Sequence, residues 1–371
     1  MTHQIVYPVS KPYLTEDERT LVMDAYDSSW ISSTGKYIDL FEGEFANYIG
    51  AKFGVAMSNG TTALHAALEA LGIGESDEVI VPDLTFAATV NVVLHAGAVP
   101  VIVDVNESDW CICPKSIEKA ITSKTKAIIP VHLYGMSCDM DAIMEIAERY
   151  ELYVIEDCAE AHGASYKGEK VGSIGHVGCF SFFGNKIITT GEGGMCLTNN
   201  KDLEEKLRIL RDHGMSKKKK YFHESIGYNY RMTNIQAAVG VAQLQKIEYI
   251  LAEREKISQL YMELLQNVDG VYFQMKYSDI ENINWLFSIV LEGIDRDCLI
   301  DRLKEYGVDS RPFFYPLSQM PIYKKYAKNI NNSVIVSEKG LNLPTYVGLT
   351  ERDIIHIAKS IKKIINEIRC L

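Results

Sequence analysis

From about residue 50 to residue 200, short apolar runs alternate with stretches whose apolar positions recur at helical spacing. EVIVP (78–82), VPVIVDV (99–105), KAIIPVHLYG (126–135), LYVIED (152–157), GCFSFF (178–183) and GMCLTN (194–199) predict strands. Between them TTALHAALEALG (61–72) and MDAIMEIAERY (140–150) predict amphipathic helices. This alternation points to an α/β fold, with an open, mostly parallel central sheet flanked by helices on both faces. Ligands gather at the carboxyl ends of such strands, and His132, Asp157 and Ser181 stand at or near those ends.

The pattern changes after about residue 240. Residues 237–266 form one long helical run suited to bridging two lobes. Beyond it, strand-like INWLFSIVLE (283–292) mixes with helical stretches at 296–306 and 350–367, which predicts a smaller α+β lobe. The expected division is a large cofactor-binding domain, 1–240, and a small C-terminal domain, 241–371, that includes the bridging helix. No internal repeat or low-complexity linker separates them, so the lobes are expected to share an interface.

Composition narrows the function. With 371 residues, 47% hydrophobic and 23% charged, the chain reads as an ordinary globular protein with a substantial core. A net charge of -11 disfavours nucleic acid and anionic membranes as partners. No apolar run approaches a membrane span, and the N-terminal MTHQIVYPVSKPYLTEDE has no signal-peptide core, so a cytoplasmic protein is expected. The eight cysteines (Cys111, Cys113, Cys138, Cys158, Cys179, Cys196, Cys298 and Cys370) include no CxxC pair. Buried reduced thiols are expected rather than a disulfide frame or a metal site.

Against this background Lys186 stands out, placed among aromatic, β-branched and glycine residues in SFFGNKIITTGEGG (181–194). Such a lysine is either a surface loop residue or an amine that must lose its proton to attack a carbonyl. It belongs to no Walker loop, and GIGESD (72–77) reads as a helix-ending turn, not a dinucleotide fingerprint. A better anion site is SNGTTALHAAL (58–68), where Gly60 and Thr61 open an alanine-rich helix; plain N-capping explains the same residues. Asp157 ends an apolar strand, where it could cap a helix or hold a proton on a ring nitrogen, with Glu160 three residues on. Phe86 follows a strand and could pack in the core or stack on a planar cofactor. SKKKKYFH (216–223) reads as a solvated loop or as a patch for an anionic ligand. Asn229 and Arg231 sit beside aromatics before a long helix. Together, a phosphate cradle, a stacking ring, a strand-end carboxylate and a lysine are the equipment of a pyridoxal 5'-phosphate (PLP) enzyme.

The sequence also resembles a known family over nearly its whole length: the DegT/DnrJ/EryC1/StrS sugar aminotransferases, of fold type I. The resemblance lies in WISSTGKYIDLFE (30–42), SNGTTALHAAL, PVHLYG (130–135), VIEDCAEAHG (154–163), SFFGNKIITTGEGGM (181–195) and GYNYRMTNIQAA (227–238). It implies that Lys186 carries PLP as a Schiff base, Asp157 pairs with the pyridine nitrogen, Phe86 stacks on the ring and Glu160 lies near its hydroxyl. Gly60, Thr61 and Ser181 are implied to bind the phosphate. Asn229 is implied to reach the phosphate in a neighbouring subunit, which requires a homodimer with shared active sites. Substrate contacts fall by the same resemblance on Trp30, Ser32, Arg231, Arg311 and Tyr315, and no metal is implied. Related dehydratases have histidine at the lysine position, so Lys186 implies amination. WISSTGKY, RPFFYP (311–316) and GLNLP (340–344) look most like the members that aminate GDP-4-keto-6-deoxymannose, with glutamate as donor. Two positions depart from that pattern, Ser318 in place of histidine and Phe222 in place of tryptophan, and both are expected to face substrate. A small phosphorylated ketone is the competing acceptor. An NAD-dependent oxidoreductase lacks its fingerprint here, and a non-catalytic regulator leaves Lys186 without a purpose.

Overall fold

The computed structural model describes residues 4–275 and 277–369. Seven strands form the central sheet: β1 (Phe53–Met57), β2 (Glu78–Pro82), β3 (Val99–Val103), β4 (Thr125–Ile128), β5 (Tyr153–Asp157), β6 (Val177–Ser181) and β7 (Gly194–Thr198). Their order is β1-β7-β6-β5-β4-β2-β3, parallel throughout except for β7, which runs against both neighbours. The six expected strands are all present. The expectation omitted β1, five residues whose glycine and alanine carry little strand propensity.

Apolar side chains cover both faces of this sheet. Phe41, Phe45, Phe180 and Phe182 pack on one face, and Leu64, Leu68, Val79 and Val81 on the other. The Gly60–Ala70 helix lies close against the second face because five of its eight buried positions are glycine or alanine. Its first residues sit where β1, β6 and β7 converge, with Gly194 paired to both Met57 and Ser181.

The long run at 237–266 is two helices, Asn234–Leu244 and Ile247–Leu265. At the break Lys246 leaves helical geometry (φ -111°, ψ 5°), and its amine bonds Thr15 Oγ1 at 2.6 Å and ion-pairs with Glu18. Neither proline nor glycine marks the site, so periodicity alone runs through it. Residue 240 lies inside the first of these helices, which packs on the Glu16–Asp27 and Lys36–Ile49 helices.

The C-terminal lobe is a four-stranded antiparallel sheet, ordered Val271–Phe273, Phe287–Leu291, Gly340–Leu343, Arg311–Pro312. Tyr261, Leu299, Ile357 and Ile361 build its core from three helices. The chain's start joins this lobe: Val6 and Tyr7 donate to Gly307 O at 2.8 and 2.9 Å, and Thr345 N donates to Val9 O at 3.0 Å. Two buried carboxylates fasten the lobe to the large sheet. Asp104 accepts the backbone N–H groups of Asn331, Asn332 and Ser333, and Asp83 accepts from Ser318 and Ser333. Ser318 is therefore a fastener, and the expectation that it faces substrate is corrected. Cys111, Cys113, Cys138, Cys158, Cys179, Cys196 and Cys298 are free thiols, and Cys370 lies outside the described residues. Among the described residues no helix is long and apolar enough to cross a membrane.

Candidate active site

At the carboxyl ends of the parallel strands a cavity of about 750 Å³ opens between the lobes. Gly60, Thr61, Phe86, Asp157, Glu160, Ser181 and Lys186 line it from the large sheet, and Trp285, Arg311 and Asn342 from the C-terminal lobe. Eight of the thirteen expected site residues thus share one cleft.

Lys186 is carried by the loop between β6 and β7, which folds back on itself through Thr190 N to Phe182 O (2.9 Å) and Phe182 N to Gly193 O (2.8 Å). Ile187 and Ile188 are buried and anchor it. The Lys186 side chain is only 12% exposed, and Nζ lies 3.6 Å from Glu160 Oε1. Burial lowers the amine's pKa below the usual lysine value, and the Glu160 and Asp157 carboxylates oppose that shift. Burial also pushes Glu160 up to about 7, even though Oε2 accepts the Tyr134 N–H at 3.0 Å. An amine and a carboxyl with pKa values moved toward each other are suited to passing protons.

Asp157 closes β5. Its Oδ2 accepts from Thr89 Oγ1 at 2.9 Å and its Oδ1 from Ala159 N at 3.1 Å. No helix follows, so Asp157 is not a helix cap. Burial raises its pKa, and two neutral donors leave the carboxylate without a cation in direct contact. A protonated ring nitrogen is the partner such a group lacks.

The helix start is capped internally, Asn59 Oδ1 accepting Thr62 N at 2.9 Å. Plain capping is therefore real, but it leaves the N–H groups of Gly60 and Thr61 to the cleft. A Cβ on Gly60 would come within 2.7 Å of Ser181 Cβ, and one on Gly194 within 2.3 Å of Asn59 O. Glycine at both positions lets the helix dipole and the Ser181 hydroxyl converge on one point, a cradle for a phosphate. Phe86 is 62% exposed at the cavity wall, an aromatic face held out of the core.

The other five expected residues lie outside this cleft. Trp30 O and Ser32 O accept from Asn234, Asn229 Oδ1 accepts Arg231 Nε at 2.9 Å, and Arg231 pairs with Asp212 at 2.7 Å. Tyr315 is 60% exposed and does not line the cavity. Phe222 is also outside this cleft, on the 216–223 loop, and is half exposed. Lys218, Lys219 and Lys220 are exposed, and Lys217 borders a separate recess of about 220 Å³ with Arg208, Arg211 and Arg231. His132 is buried beneath the site: Nδ1 accepts Cys138 N, so Nε2 donates to Glu156 at 3.1 Å. Among the described residues His132, Glu156 and Cys158 are the one cluster with metal-ligand spacing. The Glu156 oxygens already accept from Gly172, Ile174 and Gly175, so no pair of free ligand atoms remains.

Sequence reasoning missed Thr89, Tyr134 and Trp285. Trp285 lies inside a run read only as strand, and nothing local in sequence ties it to Lys186, 99 positions earlier in the chain.

Fold and cleft define a PLP-dependent aminotransferase: the buried lysine, the cation-less aspartate, the exposed aromatic and the glycine-lined helix start all fit that cofactor. The DegT/DnrJ/EryC1/StrS aminotransferase family profile matches residues 12–362, and the chain belongs to that family. It is 46% identical to the GDP-perosamine synthase of Caulobacter vibrioides, covering 96% of this chain and 98% of that protein. Identity to the GDP-perosamine synthase of Escherichia coli O157:H7 is 43%, with the same coverage of 96% and 98%. The PLP form of Spr1654 from Streptococcus pneumoniae matches with a TM-score of 0.93 at 29% identity, covering 97% of this chain and 99% of that one. Bound PLP supplies an electron sink for a proton-transfer reaction.

Proposed function

We propose that the protein moves the amino group of glutamate to C4 of GDP-4-keto-6-deoxymannose, giving GDP-perosamine for surface polysaccharide synthesis. The observation that carries this reading is the near-full-length similarity to two GDP-perosamine synthases at 46% and 43% identity. Of the two departures from that pattern, Ser318 weighs less than the sequence suggested, because its hydroxyl is engaged by Asp83. The large cavity, with Arg311 on its wall, suits a nucleotide sugar better than a three-carbon phosphate.

In this reading Lys186 holds the cofactor, and its freed amine moves a proton away from Cα of glutamate and later to C4 of the sugar. Asp157 keeps the ring nitrogen protonated, Phe86 stacks on the ring, Glu160 faces its hydroxyl, and Gly60, Thr61 and Ser181 bind the phosphate. Arg311 binds substrate. Asn229 serves the cofactor phosphate of a second copy in a cytoplasmic homodimer, and Arg231, Trp30, Ser32 and Tyr315 bind substrate. The position of Asn229 outside its own cleft supports the shared site, and seven unpaired thiols suit a reducing compartment.

The test compares kcat/KM for GDP-, dTDP- and UDP-linked 4-keto sugars and dihydroxyacetone phosphate, each with glutamate. The GDP sugar is expected to lead. A preference for the small phosphate above about a hundredfold, roughly 2.7 kcal/mol, overturns the nucleotide-sugar assignment and leaves the transaminase intact.

A further inference from the structure

Trp285 belongs to the C-terminal lobe but ends in the cleft, 4% exposed, with the centroid of its ring 4.0 Å from Lys186 Nζ. Three hydrogen bonds fix that ring. Its Nε1 donates to Asn185 O at 2.7 Å, the carbonyl just before Lys186. Its backbone N donates to Tyr134 O at 3.0 Å, and its carbonyl accepts from Arg254 at 2.7 Å. Tyr134 is buried in left-handed backbone geometry (φ 54°, ψ 18°), and its N–H holds Glu160 while its C=O holds Trp285. One unusual backbone conformation therefore ties down both groups that flank the lysine amine. Left-handed geometry in a non-glycine residue is costly, and it persists where the surroundings over-determine it.

We infer that Trp285 is a positioning residue for the reaction: its ring face is the berth on which Lys186 Nζ rests whenever that amine is not joined to the cofactor, with Glu160 closing the other side. This rests on the reading of Lys186 as the cofactor lysine. A freed lysine has a flexible four-carbon stem and would otherwise lose its aim at the reacting carbon. An ammonium over an indole face and beside a carboxylate stays within reach of that carbon. The berth also explains why a residue of the small lobe reaches the cleft. The charged and titratable groups facing this amine are Glu160, Asp157 and His162, with Arg254 behind the indole. His162 is neutral, because burial pushes it down to about 3, so it does not compete for the site.

The experiment uses the full-length protein loaded with pyridoxamine 5'-phosphate, in which the Lys186 amine is free. Limiting acetic anhydride is applied across a pH series, and acetylation of the Lys186 peptide is read by mass spectrometry. Trp285→Leu removes the ring face, whereas Trp285→Phe keeps a face and loses only the bond to Asn185. The midpoint is expected to fall by about one pH unit in Trp285→Leu, a tenfold change, and by less than half of that in Trp285→Phe. Fluorinated tryptophan, which weakens the ring's attraction for cations while nearly keeping its shape, is expected to lower the midpoint in step with the number of fluorines. This arm decides the question if Trp285→Leu does not fold. A midpoint unmoved by fluorination, or falling as far in Trp285→Phe as in Trp285→Leu, overturns the berth. Borohydride trapping of the PLP-loaded protein reads the Lys186 assignment separately, so either failure can be told from the other.

Discussion

Two buried carboxyl groups share one cleft, and their surroundings separate them. Asp157 meets only neutral donors, whereas Glu160 faces the Lys186 amine directly. Asp157→Asn is expected to abolish transamination almost completely, a loss of several kcal/mol at the transition state, in a protein that still folds. Activity within about tenfold of wild type, worth about 1.4 kcal/mol, would contradict the pairing with the ring. Glu160 gives a pH signature. Its carboxyl titrates near 7 in the folded chain against 4.5 as a free group, so the folded state holds the proton longer. Stability therefore falls as pH rises from 4.5 through 7, and Glu160→Gln removes that fall. In cofactor-free protein the urea stability of Glu160→Gln relative to wild type should grow by about 3 kcal/mol, as an order of magnitude, between pH 4.5 and pH 8. No growth would mean that Glu160 is not held protonated by burial. Lys186, Asp157 and Phe86 were legible in sequence because each stands in a short motif whose local form decides its exposure. Thr89 was not, because its bond to Asp157 spans 68 positions and no local pattern reports it.

Among the elements, the proposed anion site rests on the start of the Gly60–Ala70 helix. Gly60→Ala puts a methyl 2.7 Å from Ser181 Cβ, at a junction of three strands that cannot move apart cheaply. Overpacking of this kind costs about 1–3 kcal/mol, and its effect should appear as PLP affinity weakened about tenfold or more in an absorbance titration. Gly43→Ala is the control: nothing lies within 4 Å of that site, in the middle of the Lys36–Ile49 helix, and affinity should stay unchanged. Equal losses in both variants would contradict the cradle. The sequence reading recovered this helix because alanine-rich spacing and a polar start agree with each other. It ran two helices together at Lys246 because that break is made by ion pairing to the distant Thr15–Glu18 turn, a tertiary effect that periodicity cannot register.

For the whole molecule, five residues expected at the site lie outside this chain's cleft, which makes the proposed dimer the thing to test. Mixing inactive Lys186→Ala with inactive Asn229→Asp subunits should restore some activity, because one site of the heterodimer then has both defects and the other neither. No recovery after verified subunit exchange would place Asn229 in a structural role within its own chain. The mostly parallel sheet was legible from strand–helix alternation. The joining of the chain's first described residues to the C-terminal lobe was not, since backbone pairing at Val6, Tyr7 and Val9 uses no side-chain signal. The central claim is that the cleft is a transaminase centre organised on Lys186. The most direct test is borohydride reduction of the PLP-loaded protein followed by peptide mapping. Loss of the visible absorption band with the label on Lys186 alone is the result expected. A label on any other lysine, or no chromophore after PLP is supplied, would contradict it.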